Sequence, residues 1–561
     1  MDRRDLLPPG PGWELTEGEK RLVECGASGE FWQPKLPPGG TRDPDPAKAA
    51  GWPDECKLRP EVLRCLAIGA RWSEKIAPWP VHASGIQIRG ARITGNLNLR
   101  GCEVLVPLWL QASAIEGAVV LADARTQGLT FEATHVRSLN ATRAQIQGDL
   151  YLREKFHSSG EVTLNAVLLA GRLDCKNGTF ENPGKIALNC NAFSVSGDVY
   201  FNSGFQAQGK VTLVRGEIGG QLNCNGGQFA NKGDTALHAN TLVVGADVHM
   251  RENFGAVGGV DFSYADISGA FQCRDCTFEN AGKTALGLYS AKIASELDLA
   301  GIKSCVGTLD LRQAQTRTLH DGDSTWLASG SILLDGFTYE RLSESATSAS
   351  KRLQWLNRQH ESHLGEDFRP QPWAQLIKVL HEMGHDEDVR LIAMQREAMI
   401  ARRRRTPWYK KWLWYPFLWA SVGYGYRPWR AFWISLALIA IGWVTFAGAF
   451  ALGFMAPKDP SVAIYLAENP KASVPPLYTE FNSLVYAVDV YLPVIELGQD
   501  EAWAPSSVRA PNAPPLAPGF ATAADFFAAG GHRAIYWLEE IAGWVFVSLY
   551  IAGMSGIMKK E

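Results

Sequence analysis

LDCKNGTFEN (173–182), LNCNGGQFAN (222–231) and FQCRDCTFEN (271–280) align without gaps, 49 residues apart. A shorter unit recurs around them, in which an apolar residue, a glycine and two further apolar residues stand at alternate positions. The glycine anchors from Gly148 onward, with Ala246 and Ser295 replacing glycine in two copies, are spaced 23, 26, 23, 26, 23 and 26 residues apart. Short period-2 strands at such spacing predict a parallel β-helix, or β-solenoid, whose coils share one core.

The repeat also predicts how far the solenoid extends and what fills it. We expect the β-solenoid over residues 85–342, with about 24–25 residues per coil, behind an N-terminal cap region over residues 1–84. In the cap, Thr16 with Glu19 forms a helix-start signature, and Pro60 begins a second helix. No acidic pair or aromatic groove recurs along the coils, which disfavours a carbohydrate-active site. The residues expected in one inward ladder are Leu99, Leu121, Leu152, Cys175, Phe201, Cys224, Met250, Cys273 and Leu299.

Residues 343–405 change to helical periodicity and are predicted to form a helical hairpin linker, with Gly384 closing one helix and Asp386 capping the next. His381-Glu-Met-Gly-His385 in this segment fits H-E-x-x-H, the pattern by which two histidines one helical turn apart bind zinc in proteases. Because Gly384 interrupts the helix that such a site requires, we interpret the motif as a turn. His381 and His385 stay weak metal candidates, and we predict no enzymatic activity and no cofactor.

Charge and cysteine usage narrow the function classes. The net charge of −3 argues against a nucleic-acid-binding surface, which is normally basic. All ten cysteines precede the membrane segments, and most stand isolated in apolar strand patterns, where cysteine acts as a small buried hydrophobe. We therefore expect reduced thiols rather than disulfides. Cys273-Arg-Asp-Cys276 has no second pair to complete a zinc or redox site.

The C-terminal quarter carries two apolar runs that predict a transmembrane domain over residues 431–561. Residues 431–456 contain no charge, and residues 535–558 are interrupted only by Glu539 and Glu540. Each exceeds the ~20 residues that cross a ~30 Å hydrocarbon core. Residues 481–499 are apolar but too short to span, which predicts a re-entrant segment. Ahead of the first span, residues 406–430 are predicted to form an interfacial aromatic and basic helix.

The placement of lysine and arginine predicts a protein of the cytoplasmic membrane with both termini in the cytoplasm. Basic residues flank both spans on the terminal sides, whereas the 78-residue loop between the spans contains four lysines and arginines. The basic residues can also bind anionic lipid headgroups. Those expected at the lipid interface are Arg402, Arg403, Arg404, Arg405, Lys410 and Lys411.

The segment between the spans supplies the candidate pore residues. Non-helical backbone at membrane depth is tolerated only where protein buries it or water lines it. Repeated by symmetry, Glu496 would form a carboxylate ring that favours cations. The pore and selectivity candidates are Glu496, Asp489, Gly498, Pro493, Asp500 and Glu501. The pore-lining or helix-packing candidates are Ser548, Ala552, Gly556 and Glu540.

This order of span, FNSLVYAVDVYLPVIELG (481–498) and second span resembles the two-transmembrane pore-loop channels, with that segment in the place of pore helix and filter. The resemblance implies a homo-oligomer, a tetramer by analogy. Potassium selectivity is not implied, because the family's filter is T-V-G-Y-G-like whereas this chain has PVIELG. The solenoid with PQPWAQLIKVLHEMGHDEDVR (370–390) also resembles a group of bacterial membrane proteins with pentapeptide-like β-solenoids.

The sequence thus predicts a homo-oligomeric, cation-conducting membrane channel whose cytosolic β-solenoid senses or docks a protein or ligand partner. Its other expected partners are the lipid membrane, further copies of the chain and the permeating cations, with no nucleic acid among them. The first alternative is a non-conducting, membrane-anchored solenoid scaffold. A third reading is a membrane metalloprotease using His381, Glu382 and His385.

Overall fold

The computed structural model describes residues 14–36, 45–69, 79–322, 331–365, 367–401, 407–469, 472, 474–492, 494–511, 513, 515 and 519–555. The chain divides into two compact units, residues 1–392 and 393–561. The first contains a parallel β-solenoid of about 11 turns over residues 86–342, and the second contains two long apolar helices. The predicted mixed fold class is confirmed.

Each coil of the solenoid lays strands on four faces, which we name A to D in chain order, and every neighbouring pair is parallel. Face A holds Glu103–Val104, Arg125–Thr126, Gln145–Ile146, Leu168–Leu169, Ser194–Val195, Glu217–Ile218, Val243–Val244 and Asp266–Ile267. Face B holds Ile86–Arg89, Leu108–Gln111, Leu129–Glu132, Leu150–Arg153, Leu173–Asp174, Val199–Tyr200, Leu222–Asn223 and Val248–Met250. Faces C and D hold Lys57–Leu58, Arg92–Ile93, Leu97–Asn98, Ala114–Val120, His135–Asn140, His157–Ser158, Val162–Thr163, Thr179–Asn189, Gln206–Thr212, Gln228–His238, Gly255–Asp261 and Ile332–Leu333. The strands that continue around corners are Phe271–Gly287, Lys292–Asp310, Gln315–His320 and Thr338–Leu342.

The alternation between 23 and 26 residues has a local cause on faces C and D. Every longer coil carries a protruding turn, in which the side-chain amide of an asparagine donates to the carbonyl four residues later. Asn182 donates to Ile186 at 2.7 Å, and Asn231 and Asn280 make the same bond at 2.8 and 2.7 Å. The glycine of each turn has a positive φ, 83° at Gly233, which favours a residue without Cβ. The 49-residue super-repeat is thus a plain coil followed by a coil with a turn.

The predicted inward ladder is buried throughout, but it belongs to two faces rather than one. Cys175 and Phe201 follow the face B strands that pair Leu173 with Val199. Leu99 and Leu121 instead follow face D strands, as the pairing of Leu97 with Val119 shows. Placing Leu99 and Leu121 in the face B ladder was wrong, because the same glycine-and-apolar pattern is used at two different corners of the coil.

Aromatic and sulfur side chains fill the interior of the solenoid. A column of phenylalanines runs through it, with ring centroids 5.3 Å apart for Phe180 and Phe205 and 5.4 Å apart for Phe229 and Phe254. All ten cysteines lie within the described residues, and none of them forms a disulfide, as predicted. Burial raises the pKa of the thiols of Cys175, Cys190 and Cys224, so these groups stay protonated and unreactive.

Helices α1 (Glu17–Ser28) and α2 (Pro60–Ala67), with the 3₁₀ turns Pro46–Gly51 and Asp54–Cys56, pack at the first coil. The predicted capping box is present, because Thr16 accepts from the amide of Glu19 and Glu19 accepts from the amide of Thr16. Glu19 is buried and also pairs with Arg59. Trp32 bridges to Ile88 on the first coil. This region therefore shields the leading edge of the solenoid.

The opposite end of the solenoid is covered by helices that the sequence assigns to a linker. These are α3 (Ala349–Leu356), α4 (Glu361–Leu364) and α5 (Gln371–Glu382), followed by α6 (Asp386–Ala401). In α5, Gln371 accepts from the amide of Gly336 at 2.8 Å, and Gln375 donates to the carbonyl of Tyr339 at 2.6 Å. These side chains satisfy backbone groups of the last coil. Helix α5 is therefore an edge cover.

The second unit is built around two apolar helices that pack against each other in antiparallel orientation. Its elements are a π-helical turn at Lys410–Trp414, α7 (Tyr415–Val422), a 3₁₀ turn at Gly423–Gly425, α8 (Trp429–Ala451), α9 (Pro460–Glu468), α10 (Ser483–Tyr491), α11 (Gln499–Ala502), α12 (Ala521–Ala528) and α13 (Gly531–Met554), with two short strands, Met455–Pro457 and Trp503–Pro505. At 1.5 Å per residue, α8 is ~34 Å and α13 ~36 Å long, enough to cross a bilayer. In the most apolar stretch of each helix, only 17% of α8 and 11% of α13 is buried. A core helix of a soluble protein would be mostly buried.

The helix bounds differ from the predicted ones for local reasons. The first span was predicted to reach residue 456, but α8 ends at Ala451 because Gly453 adopts a positive φ of 79°. The second was predicted over 535–558, whereas α13 begins at Gly531. The predicted interfacial helix over 406–430 is broken after Val422, where Gly423 and Tyr424 have φ of 55° and 58°.

Candidate functional site

The short helix α10 runs alongside α8 from one end of that helix toward the other. The ring of Phe481, just before α10, stacks on Phe450 with centroids 4.5 Å apart. Tyr486 packs edge-on against Phe446 at 4.9 Å, and the hydroxyl of Tyr491 donates to Ser435 Oγ at 2.8 Å. From residue 450 to residue 435 the distance along α8 is ~22 Å. The segment therefore descends through much of the length of α8.

After α10 the chain returns to the end of α8 from which it descended. Trp503 packs against Phe450 at 5.7 Å, and its indole N–H donates to the carbonyl of Thr479 at 2.9 Å. The strand Trp503–Pro505 then pairs antiparallel with the strand Met455–Pro457, which closely follows α8. Residues 479–503 thus form a loop that begins and ends beside the same end of α8.

The C-terminal end of α10 contacts α13 at a glycine. A Cβ placed at Gly543 would overlap the backbone carbonyl oxygen of Tyr491, the last residue of α10. Since the obstructing atom belongs to backbone, no rotamer change would relieve the overlap. Gly543 therefore permits the close contact between α13 and the end of α10.

The carboxylate of Asp489 organises the turn after α10. It accepts from the backbone amides of Leu497, Gln499 and Asp500 at 2.7, 2.7 and 2.8 Å. Gly498, inside this turn, has a φ of 77°, which a residue without Cβ adopts readily. Of the predicted pore candidates, Asp489 and Gly498 therefore shape the loop, and the carboxylate of Asp489 is occupied by backbone donors.

The remaining acidic candidates lie on either side of that turn. Glu496 and Glu501 are exposed, and Glu496 belongs to an exposed run in which Val494 is 77% and Ile495 51% accessible. Asp500 contacts Lys458 Nζ and the hydroxyl of Tyr536, both at 3.3 Å. Glu496 thus lies at the exposed tip of the loop, whereas Asp500 lies where the loop contacts Lys458 and Tyr536. Pro493 lies outside the described residues.

The predicted packing stripe on α13 makes little contact within one chain. Ser548 and Glu540 are exposed and Ala552 is half-buried, while Gly556 lies outside the described residues. Of the lipid-interface candidates, Lys410 and Lys411 are exposed, and Arg402, Arg403, Arg404 and Arg405 lie outside the described residues. All of these assignments stay predictions.

The H-E-x-x-H motif falls across a helix boundary. Helix α5 ends at Glu382, Gly384 takes a φ of 82°, and α6 begins at Asp386. Asp386, predicted as the cap of this helix, is instead its first residue. Its Oδ1 lies 2.7 Å from His381 Nδ1. His381 and His385 therefore do not share one helical face. Across the described ranges, no group of three or more His, Cys, Asp or Glu side chains is arranged to hold a metal.

Sequence reasoning missed the groups that hold the loop in place. Gln499 accepts from the amide of Asn482 at 3.1 Å and donates to the carbonyl of Glu480 at 2.9 Å, which ties the two limbs of the loop together. Gly442 on α8 and Gly543 on α13 provide close contacts. Isolated glycines inside two apolar runs were the available signal, because glycine weakens a helix unless packing requires it.

A scan against protein-family models, a search of curated proteins and a search of solved structures each found no match to this chain. The functional proposals below therefore rest on the residues and geometry of the chain itself.

Proposed function

We propose that the protein is a homo-oligomeric, cation-conducting membrane channel with a cytosolic β-solenoid that docks a partner. One observation carries the proposal: α10 ends with Tyr491 against Gly543 on α13, and residues 494–497, which follow it, are non-helical and exposed. The coarser statement, a solenoid protein with two helices able to anchor it in a membrane, needs no further assumption.

The depth follows from the contacts of α10. Its last residue, Tyr491, meets Gly543, which is ~18 Å along α13 and close to the middle of that helix. If α8 and α13 span a bilayer, the tip lies inside its ~30 Å hydrocarbon core. Lipid cannot satisfy exposed peptide groups or a carboxylate there, and each unsatisfied group costs several kcal/mol. Water and further copies of the chain would satisfy them.

The charge at the tip favours cations. Glu496 has no basic residue beside it in sequence, and Lys458, which contacts the later part of the loop, is engaged with Asp500. Copies of Glu496 arranged around an axis would create a ring of negative charge, which attracts cations and repels anions. Glu501, also exposed, would add to the field at the mouth.

Glu496→Gln is therefore expected to reduce the cation-to-anion permeability ratio of the reconstituted protein severalfold. The measurement is the reversal potential of currents in planar bilayers under a salt gradient. Glu468→Gln, which removes an exposed charge from α9 outside the re-entrant loop, is the matched control and should leave the reversal potential unchanged. An unchanged reversal potential in Glu496→Gln would remove the filter assignment.

The second candidate is a non-conducting, membrane-anchored scaffold. It is favoured by the protruding turns of the solenoid, which stand on alternate coils and expose Lys185, Lys232 and Lys283 together with the single carboxylate of Asp234. This excess of cations suits an acidic protein partner. Intact reconstituted oligomers that pass no unitary current at any voltage, tension or pH would favour this candidate over the channel.

A further inference from the structure

Glu539 is a buried acid between the two apolar helices. It lies on α13, ~12 Å from the start of that helix, and is 1% exposed. Its carboxyl group packs against Gly442 of α8, where an added Cβ would overlap the carboxyl oxygens. Glu540, the next residue, is exposed. One of two adjacent glutamates is thus held between the helices while the other faces outward.

The carboxyl group of Glu539 lacks a counter-charge and a suitable donor. Within the part of the chain that the structure describes, neither carboxyl oxygen has a hydrogen-bond partner. The backbone amide of Gly442 faces the group, but it lies inside α8, where amides donate along their own helix. No lysine, arginine or histidine in the described ranges pairs with it.

Among the residues that the structure describes, the titratable groups around Glu539 are acids. Helix α10 contributes Tyr486 and Tyr491, and Asp489 and Asp500 lie beyond them, while Tyr536 stands on α13 itself. The hydroxyl of Tyr491 is committed to Ser435, and that of Tyr486 is buried and has no hydrogen-bond partner among the described residues. None of these groups would compensate a negative charge. An ionised carboxylate would be desolvated and surrounded only by groups that are neutral or negative.

We propose that Glu539 is a proton-binding site that holds one proton per subunit between α8 and α13 at neutral pH. Desolvation disfavours the charged form of a carboxyl group, and a charge inside a bilayer costs several kcal/mol, so the neutral acid is the stable form. Release converts the carboxylic acid to a carboxylate and delivers the proton to the aqueous phase. The new charge would be buried between α8 and α13 without a counter-charge, so release would loosen the contact between the two helices.

Infrared spectroscopy of the full chain in lipid vesicles tests this directly. At neutral pH the wild-type protein is expected to show the carbonyl stretch of a protonated carboxylic acid, shifted in D₂O, and Glu539→Gln is expected to abolish it. Glu540→Gln, the adjacent control, should leave the band intact. A wild-type spectrum without the band, or a band that persists in Glu539→Gln, would overturn the assignment.

Should Glu539→Gln fail to fold, labelling of the wild-type protein decides the matter. A hydrophobic carbodiimide adds to protonated carboxyl groups in apolar surroundings, and peptide mapping is expected to find the adduct on Glu539 and not on Glu540. Absence of an adduct on Glu539 contradicts the proposal. Neither readout depends on conduction, so a protein that carries no current but shows the band would refute the channel and leave the proton site standing.

Discussion

Gly543→Ala is expected to lower the free energy of unfolding of the second unit, residues 393–561, by about 3 kcal/mol and to abolish any conduction. The added methyl group would overlap the carbonyl oxygen of Tyr491, so α10 and α13 must separate. Overpacking usually costs less, because side chains turn away, but here the obstruction is backbone. The loss should appear on titration of the detergent-solubilised full chain with SDS, followed by the helical circular-dichroism signal, to which a β-solenoid contributes little.

Gly448→Ala on α8 is the matched control for this substitution. A Cβ at Gly448 would lie 3.4 Å from Phe527 Cζ, an ordinary van der Waals distance. Both variants replace a helical glycine by alanine and so gain up to about 1 kcal/mol of helix propensity. Gly448→Ala should therefore be neutral or slightly stabilising. Equal stability of the two variants would mean that α10 does not rest on α13 at Gly543.

Arg352→Ala is expected to lower the free energy of unfolding of the solenoid unit by about 3–5 kcal/mol. Arg352 on α3 is fully buried and donates from both terminal nitrogens to Asp321, at 2.9 and 2.8 Å. Removing the guanidinium leaves a buried carboxylate without its counter-charge. It also detaches α3 from the last coil of the solenoid. Urea unfolding followed by the β-sheet circular-dichroism signal measures the loss.

An exposed ion pair at the same end of the solenoid provides the comparison. Arg317 and Glu340 lie 3.9 Å apart with side chains 68% and 75% accessible. Because water screens such a pair, Arg317→Ala should change the unfolding free energy by less than about 1 kcal/mol. A cost for Arg352→Ala that is no larger than this would show that the buried pair does not fasten the end cover.

The solenoid was predictable from sequence because its coils repeat the same local pattern. Alternate residues such as Leu173 and Cys175 are apolar for the same reason in every coil, namely that both point inward. The error over Leu99 and Leu121 arose because the pattern marks a corner without saying which corner. The end cover by Gln371 and Gln375 was not predictable, since glutamine on a helix surface gives no sign that it meets the backbone of a coil.

The second unit, residues 393–561, was also predictable only in part. Apolar runs long enough to span predicted α8 and α13, and the short apolar run predicted α10. The role of Asp489 was missed because its partners are backbone amides 8 to 11 residues later, which no side-chain pattern records. Glu539 and Glu540 are adjacent acids in sequence, and only packing against Gly442 distinguishes the buried one.

The claim that the re-entrant loop lines a water-filled path between subunits is tested most directly by an experimental structure of the protein assembled in lipid nanodiscs. The proposal predicts several copies around a symmetry axis, with the Glu496 side chains facing that axis across solvent and residues 494–498 shielded from lipid. A monomeric particle, or an assembly in which Glu496 lies away from the axis, would contradict it.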